Sequence, residues 1–158
     1  MSEPTYLNSQ IITYMGNKRK LLKQIEEVVN KIQGELGKNA LTIGDGFSGS
    51  GIVSRMLKTK AKELYVNDIA GYSKTLNECY LANPSTQCIN KINNYIEDAN
   101  KQLLNTNNVS NPWVSKHWAP KQTTIQKNER AYFTHQNGKH IDIIRDYISN
   151  IPVKYQPF

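Results

Sequence analysis

The stretch Ala40-Leu41-Thr42-Ile43-Gly44-Asp45-Gly46-Phe47-Ser48-Gly49-Ser50-Gly51 decides the fold of this chain. Its first four residues form a short apolar run that predicts a buried β-strand, and the glycines after them predict a loop. Apolar residues at helical spacing follow the loop, and a second strand is predicted over 63–66, closed by Asn67 and Asp68. Strand, loop, helix and strand form a βαβ unit, so we expect the two strands to be parallel.

The glycine loop, residues 45–51, has the features of a ligand-binding turn. Glycines let the backbone turn tightly and approach a ligand without a Cβ clash. Asp45 follows the first strand, at the edge where open α/β sheets bind ligands. A carboxylate there suits the ammonium and sulfonium groups of S-adenosylmethionine, and Asp68 can accept hydrogen bonds from both ribose hydroxyls. We therefore predict S-adenosylmethionine as the cofactor.

Two other interpretations of the loop compete with this one. Gly44, Gly46 and Gly49 formally match the G-x-G-x-x-G pattern of dinucleotide sites, which is weak when it stands alone. Asp45 stands between the first two of these glycines, where it would repel a pyrophosphate, so S-adenosylmethionine is favoured over NAD. A turn without any ligand would leave several glycines and two strand-end carboxylates unexplained.

The rest of the chain is predicted to be mainly helical. Apolar residues at helical spacing predict helices over 18–33, 70–82, 88–103 and 141–148. Gly34 and Gly37 are expected to end the first of them, and the polar residues 105–126 are predicted to be irregular. No third or fourth strand follows, so the doubly wound sheet that this unit normally begins is expected to be incomplete.

Composition and charge limit the partners. The 158 residues carry 20 Lys and Arg against 13 Asp and Glu, a net charge of +7 that favours a polyanion such as nucleic acid over an uncharged partner. A merely basic surface is the alternative. No apolar run is long enough for a membrane span, and Cys79 and Cys88 fall in predicted helices without disulfide or zinc spacing. These features predict a soluble, cytoplasmic protein.

Three motifs together resemble the Dam-like family of DNA adenine methyltransferases. They are YMGNKRKLL at residues 14–22, DGFSGSG at 45–51 and VND at 66–68, and they occur in the family's order and near its spacing. The resemblance extends over about residues 11–83. It implies a Rossmann-like, S-adenosylmethionine-dependent methyltransferase fold of the α/β class, in which the first block completes the cofactor pocket and its lysine lies beside the target base.

The resemblance and the glycine loop together define the expected sites and domains. The cofactor-binding residues are expected to be Tyr14, Gly16, Lys18, Asp45, Phe47, Ser48, Gly49, Gly51 and Asp68. Residues 1–83 are expected to form the amino-terminal part of the cofactor domain. Residues 84–158 are expected to form a helical and irregular insertion of the kind that contributes to target recognition.

One motif that the family's chemistry requires is missing. Family members carry (D/N/S)-P-P-(Y/F/W), which accepts hydrogen bonds from the exocyclic amine of a flipped base and stacks on its ring. Here Asn111-Pro112-Trp113 has one proline where the motif has two, and it is interpreted as an ordinary turn. No catalytic residue is therefore predicted. The chain is expected to be the amino-terminal part of an enzyme, whether truncated, split or a fragment, with the catalytic motif on a downstream segment or a second chain.

The second half interleaves cations with aromatic rings, a mixture that suits contacts to the nucleic-acid backbone and stacking on bases. The candidate nucleic-acid residues are Lys18, Lys116, Trp118, Lys121 and Arg130. A small satellite core beneath a long loop is the alternative. The three histidines have no cysteine or carboxylate at ligand spacing, so no metal site is predicted.

Three functions remain open from the sequence. The favoured one is transfer of a methyl group from S-adenosylmethionine to the exocyclic amine of adenine in DNA. A non-catalytic nucleic-acid-binding subunit or remnant is the second, because the Pro-Pro-aromatic motif is absent. A methyltransferase acting on RNA or on the cytosine amine is the third, and the Tyr-x-Gly-x-Lys block favours adenine over it.

Overall fold

The structure is a computed structural model that describes residues 6–7, 9, 11, 16–105 and 109–158. The chain divides into two compact units, the first ending at Asn83 and the second beginning at Pro84. Within the described residues, no helix is both long enough and apolar enough to cross a bilayer.

The first unit alternates helices and strands in the predicted order. A short 3-10 helix, Arg19–Leu21, precedes the regular elements. These are α1 (Leu22–Leu36), β1 (Leu41–Asp45), α2 (Ile52–Lys58), β2 (Ala61–Val66) and α3 (Gly71–Leu81). The predicted strand–loop–helix–strand unit is therefore confirmed.

The two strands pair in parallel, as the βαβ unit predicts. Their register sets Ile43 opposite Leu64 and Asp45 opposite Val66. Because parallel strands end at the same edge of a sheet, the segments after Asp45 and after Val66 lie side by side. These two strands form the whole sheet among the described residues. A small parallel sheet within a mixed α/β unit is therefore what the structure shows.

The end of α1 differs from its prediction. The helix continues through Gly34 and ends at Leu36, because one glycine in a helix costs only about 1 kcal/mol and does not break it. Gly37 is the residue that ends it. Its left-handed conformation (φ 62°) lets its N–H and that of Lys38 bond carbonyls of the last turn. No residue of α1 is buried, so the core of this unit lies between α2 and the sheet, around Leu41, Ile52 and Met56.

The second unit is helical. Its elements are α4 (Thr86–Asn105), α5 (Val114–Trp118), α6 (His135–Asn150) and a 3-10 turn, Val153–Tyr155. Its buried apolar residues, Val114, Ala119 and Ile143, lie where α5 packs on α6. The predicted helices around 88–103 and 141–148 are confirmed but longer than predicted. Cys79 in α3 and Cys88 in α4 are free thiols in helices, as predicted.

Helix α5 corrects the prediction that residues 105–126 are irregular. Its five residues are too few to be stable through local propensity. The buried carboxylate of Asp142 on α6 supplies what the local sequence lacks. It accepts hydrogen bonds from the backbone N–H groups of Trp113 (3.1 Å), Val114 (2.8 Å) and Ser115 (2.8 Å). The helix therefore depends on an acceptor about 28 residues away, which no local pattern reveals.

Helices α5 and α6 approach so closely that Gly138 has no room for a side chain. A Cβ at this position would lie 2.7 Å from Cβ of Ala119 and 3.1 Å from Cα of Ser115. Gly138→Ala is expected to lower the free energy of unfolding by about 1–3 kcal/mol, because backbone atoms must move apart. Gly34→Ala is the matched control, since nothing lies within 4 Å of its Cβ position. It should raise stability by up to about 1 kcal/mol. Urea titration of both variants checks the pair, and equal effects would contradict this packing.

Candidate functional site

The glycine loop after β1 is joined to the segment after β2 by backbone hydrogen bonds. Asn67 N–H donates to the carbonyl oxygen of Asp45 (2.9 Å), and Ser48 N–H donates to that of Asn67 (3.0 Å). Gly51 N–H donates to the carbonyl oxygen of Ser48 (2.8 Å), closing the turn that leads into α2. The loop therefore has a defined path fixed by both strands.

Asp68 holds the loop through its side chain. One carboxylate oxygen accepts from Gly49 N–H (2.7 Å) and the other from Ala70 N–H (2.9 Å). The hydrogen bonds from Ala70 and Gly49 hold the pKa of Asp68 below its usual range, so this carboxylate is charged at neutral pH. Each oxygen keeps a further lone pair, so Asp68 can still accept hydrogen bonds from a ligand.

Asp45 lies at the other side of the loop and fixes its connection to α2. One carboxylate oxygen accepts from the hydroxyl of Ser54 (2.6 Å), which is completely buried in α2. The other faces Phe47 N–H at 3.4 Å. The Phe47 ring itself is 95% exposed at the tip of the loop. The loop thus presents a carboxylate on each side and an aromatic ring at its tip.

Two residues of α3 support the loop from inside the protein, and sequence analysis missed both. The Ser73 hydroxyl donates to the carbonyl oxygen of Gly49. The Asn77 amide donates to the hydroxyl of Ser48 (2.9 Å) and to the carbonyl oxygen of Ser73 (2.8 Å). The Ser48 hydroxyl is therefore engaged within the protein, and its predicted contact with a cofactor stays a prediction.

The prediction for α3 relied on its apolar residues, of which Tyr72 is 51% exposed. Ser73 and Asn77 are buried instead. A signal for them was present in the sequence, because two small polar residues four positions apart, just after Asp68, share one face of a helix. When such side chains are buried next to a glycine loop, their hydrogen-bonding groups need partners, and here the loop provides them.

Gly46 and Gly51 are glycines for different reasons. Gly51 has a φ of 74°, and a Cβ there would lie 2.6 Å from Oδ1 of Asn77, so the protein itself requires glycine. Gly46 lies outside the left-handed region, and no atom is within 4 Å of its Cβ position. Neither conformation nor packing explains Gly46, whereas close approach of a ligand would.

A cavity of about 460 Å³ lies beside the loop, in the size range of small-molecule sites. Asp68, Ser48 and Asn77 are among its lining residues. The Oδ1 atom of Asn77 is buried without a hydrogen-bond partner among the described residues. Asp68 lines this cavity, whereas Asp45 lies at the other side of the loop and is not among its lining residues. The loop with its two carboxylates is the candidate site, and this acceptor chemistry fits a ligand that is cationic at one end and carries hydroxyls.

The N-terminal block is described only from Gly16 onward. Gly16 has a φ of 74°, and the Lys18 ammonium donates to its carbonyl oxygen (3.0 Å). This contact joins Gly16 to Lys18 and does not by itself join them to the glycine loop. Tyr14 lies outside the described residues, so its expected place in the site stays a prediction.

The predicted nucleic-acid residues of the second unit are all exposed. The guanidinium of Arg130 lies 5.4 Å from the ring centroid of Trp118, within cation–π range. Trp118 in turn contacts the rings of Trp113 and Tyr132. These three rings are 38–78% exposed, whereas the core of the unit consists of aliphatic residues. The unit therefore presents an exposed aromatic cluster with a cation stacked on it.

The loop between Lys121 and Arg130 is closed by a single carboxylate. Glu129 accepts from the backbone N–H groups of Gln126 (2.9 Å) and Lys121 (3.2 Å). These hydrogen bonds lower the pKa of Glu129 below its usual value, Gln126 contributing most. The predicted cations Lys121 and Arg130 are thereby held at the two ends of one ordered loop.

Comparison with known proteins identifies the family. Residues 14–156 match the family described as D12 class N6 adenine-specific DNA methyltransferase. Over 134 residues the chain is 31% identical to the type II methyltransferase M.NlaIII of Neisseria lactamica, which covers 85% of this chain and 36% of that protein. Over 70 residues it is 44% identical to a putative methyltransferase of Haemophilus influenzae, covering 42% of this chain and 23% of that protein. No solved structure matches the chain.

These matches confirm the resemblance drawn from the three motifs. The chain spans about a third or less of the length of the two relatives named above. The family match, in contrast, extends over most of the chain and includes the glycine loop, Asp68 and the second unit. On that basis the chain belongs to the D12 class of N6 adenine-specific DNA methyltransferases.

Proposed function

We propose that the glycine loop, with Asp45 and Asp68, binds S-adenosylmethionine. The observation that carries this proposal is the pair of carboxylates at one edge of the parallel sheet, one of which fixes Gly49 while keeping lone pairs free. Asp45 would attract the ammonium and sulfonium groups, and Asp68 would accept the ribose hydroxyls. A pyrophosphate at the loop would be repelled by Asp45, which disfavours NAD.

The proposed fold is Rossmann-like. The parallel pair β1 and β2, connected through the loop and α2, is the unit from which such sheets are built, and their strand ends are where these sheets bind ligands. Membership of a DNA methyltransferase family supports this proposal. We infer that further strands come from residues outside the 158 of this chain.

The proposed substrate is adenine in DNA. When bound, S-adenosylmethionine would supply an electrophilic methyl group. The exocyclic amine of adenine would take this methyl group and lose a proton, and the sulfur–methyl bond would break to leave S-adenosylhomocysteine. The family description and the type II relative support DNA as substrate. The net charge of +7 does too. Lys116, Trp118, Lys121 and Arg130, with Lys18, are proposed to contact DNA, the cations at phosphates and the exposed ring by stacking.

The acceptor side of this reaction is proposed to lie elsewhere. The 158 residues contain no Pro-Pro pair, so they lack the motif that would hold the target base. We propose that a downstream segment or a second chain supplies it. The competing function, favoured by the same observation, is a non-catalytic nucleic-acid-binding subunit. Methyl transfer to duplex DNA by this chain alone would exclude that alternative.

Calorimetric titration tests the cofactor proposal. The purified chain should bind S-adenosylhomocysteine, the demethylated product, and should not bind NAD at the same concentrations. S-adenosylhomocysteine keeps the ammonium group and the ribose, so it retains most of the proposed contacts while being chemically stable. Binding of NAD without binding of S-adenosylhomocysteine would overturn the proposal.

Gly46 and Gly51 form a matched pair of variants. Gly46→Ala is expected to leave the unfolding temperature unchanged and to weaken S-adenosylhomocysteine binding by about tenfold, because its methyl group projects into open space where the ligand would lie. Gly51→Ala is expected to destabilise the protein by about 1–3 kcal/mol, because it combines a strained φ with a clash against Asn77. Thermal unfolding and calorimetry separate the two effects. A Gly46→Ala chain that binds like wild type would contradict the assigned ligand position.

A further inference from the structure

The side-chain hydroxyl of Ser48 is a buried donor that has no acceptor among the described residues. Ser48 is 7% exposed, and its Oγ accepts a hydrogen bond from Nδ2 of Asn77 (2.9 Å). A hydroxyl has one hydrogen to donate and two lone pairs, so the bond from Asn77 uses a lone pair and leaves the hydrogen of Ser48 unused. A buried donor in this state is costly, so it points to a partner that the described residues do not supply.

Asn77 is held so that it can only donate to Ser48. Asn77 is 8% exposed, and its Nδ2 group also donates to the carbonyl oxygen of Ser73 (2.8 Å), one turn earlier in α3. Because a carbonyl oxygen only accepts, this second bond fixes which end of the amide faces Ser48. The other end, Oδ1, faces Gly51, where a Cβ would lie 2.6 Å from it. The Ser48 hydroxyl is therefore obliged to turn its own hydrogen away from Asn77.

The Ser48 hydroxyl shares a cavity with the carboxylate of Asp68. This is the cavity of about 460 Å³ beside the glycine loop. Two further charged residues at the cavity, Lys74 and Glu78, pair with each other (3.7 Å). The cavity thus offers one hydrogen-bond donor, Ser48, and one charged acceptor, Asp68. A ligand hydroxyl is the group that satisfies both, because it accepts one hydrogen bond while it donates another.

We propose that Ser48, aimed by Asn77, donates a hydrogen bond to a ribose hydroxyl of the methyl donor, and that this same hydroxyl donates to Asp68. The inference rests on the proposed function, which places the ribose at Asp68. Asn77 is then a positioning residue, since it contacts Ser48 and not the ligand.

This pair of contacts selects the sugar of the ligand. A site built to hydrogen-bond a hydroxyl rejects an analogue that lacks it, because the groups of the site are then left unpaired. A nucleotide inside a DNA strand has no 2′-hydroxyl, and its 3′-oxygen is esterified. Ser48 and Asp68 together would therefore admit the nucleoside of the methyl donor and disfavour those of the proposed DNA substrate.

Calorimetry with three ligands tests the contact made by Ser48. The ligands are S-adenosylhomocysteine and its 2′-deoxy and 3′-deoxy analogues, each titrated into the full chain. Ser48→Ala should weaken binding of S-adenosylhomocysteine by about tenfold. For one of the two analogues it should weaken binding by less than about twofold, because the hydroxyl that Ser48 contacts is already missing. No loss in Ser48→Ala, or an equal loss for all three ligands, would overturn the contact.

Ser50→Ala is the matched control for that comparison. Ser50 is a serine of the same loop and is buried to a similar degree (9% exposed), but it is not one of the described residues that line the cavity. Its substitution should change the affinities for all three ligands by the same factor. A preference among the ligands that changes in Ser50→Ala as it does in Ser48→Ala would also overturn the contact.

A double-variant cycle tests the positioning role of Asn77. Asn77→Asp keeps the size of the side chain but replaces the donor with an acceptor, so the Ser48 hydroxyl would turn towards it and away from the ligand. This variant should weaken S-adenosylhomocysteine binding by about tenfold. In the Ser48→Ala background it should cause no further loss, and an additive loss would overturn the role of Asn77. Absence of S-adenosylhomocysteine binding by the wild-type chain would instead overturn the proposed function.

Discussion

Asp68→Ala is expected to raise the dissociation constant for S-adenosylhomocysteine by about 100-fold, the combined effect of losing two kinds of charged hydrogen bond. The first kind is structural, because Gly49 N–H and Ala70 N–H lose the acceptor that fixes the loop. The second kind is the proposed contact to the ribose hydroxyls. Isothermal titration calorimetry measures the change directly.

Two further variants show whether a loss of affinity in Asp68→Ala comes from the site or from the change in net charge. Asp68→Asn keeps the size and shape of the side chain, but its NH₂ group cannot accept a hydrogen bond from Gly49 N–H or Ala70 N–H. Because the remaining amide oxygen still accepts one of these two bonds, an intermediate loss of affinity is expected. Glu63→Ala removes an exposed carboxylate from β2 itself, changing the net charge equally, and should bind like wild type. Equal losses in Asp68→Ala and Glu63→Ala would mean that net charge, and not the site, governs binding.

Asp142→Ala is expected to lower the free energy of unfolding by about 2–4 kcal/mol, because each buried donor left unpaired costs about 1–3 kcal/mol. Three backbone N–H groups and the Ser115 hydroxyl (2.7 Å) share this carboxylate. Asp146→Ala is the matched control. That carboxylate lies one turn further along α6 and accepts a hydrogen bond from the Ser110 hydroxyl (3.0 Å). Its loss should cost under about 1 kcal/mol, and equal effects would contradict the assigned role of Asp142.

The same carboxylate predicts a pH dependence. Burial alone would raise the pKa of Asp142, but hydrogen bonds from Ser115, Val114 and Trp113 outweigh it and hold the pKa below its usual value. The folded pKa is thus lower than the unfolded value of about 3.9. Its contribution to stability is complete above the unfolded pKa and is lost as the pH falls through the folded pKa. Acid unfolding of Asp142→Asn should accordingly be less steep than that of wild type below about pH 4.

The first unit was predictable from sequence because its signals are local. A short, partly β-branched apolar run before glycines favours a strand followed by a turn, and the βαβ order then predicts parallel strands. Asp68 was identified for the same reason, since the end of the second strand must reach the edge where the first strand ends. All of these signals lie in one continuous stretch, residues 40–68.

The features that sequence analysis missed depend on contacts between distant residues. Helix α5 exists because Asp142 of α6 caps it, and the polar stretch around it gives no helical signal. In the sequence Arg55 has the features of an ordinary exposed cation on a helix. In the structure its guanidinium donates hydrogen bonds to the carbonyl oxygens of Tyr6 and Ser9, which lie 49 and 46 positions earlier in the chain. Ser73 and Asn77 are polar, so apolar periodicity gives no sign that they are buried, and their burial follows from the hydrogen bonds they make to the glycine loop.

A titration followed by ¹H–¹⁵N nuclear magnetic resonance would locate the proposed cofactor site, since a chain of 18.0 kDa gives resolved amide signals. On addition of S-adenosylhomocysteine, the amides of Gly46, Gly49, Asp68 and Ala70 should shift and saturate together, and those of the second unit should stay in place. Amides of the glycine loop that do not move at saturating ligand, or shifts confined to residues after Pro84, would contradict a methyl-donor site at this loop.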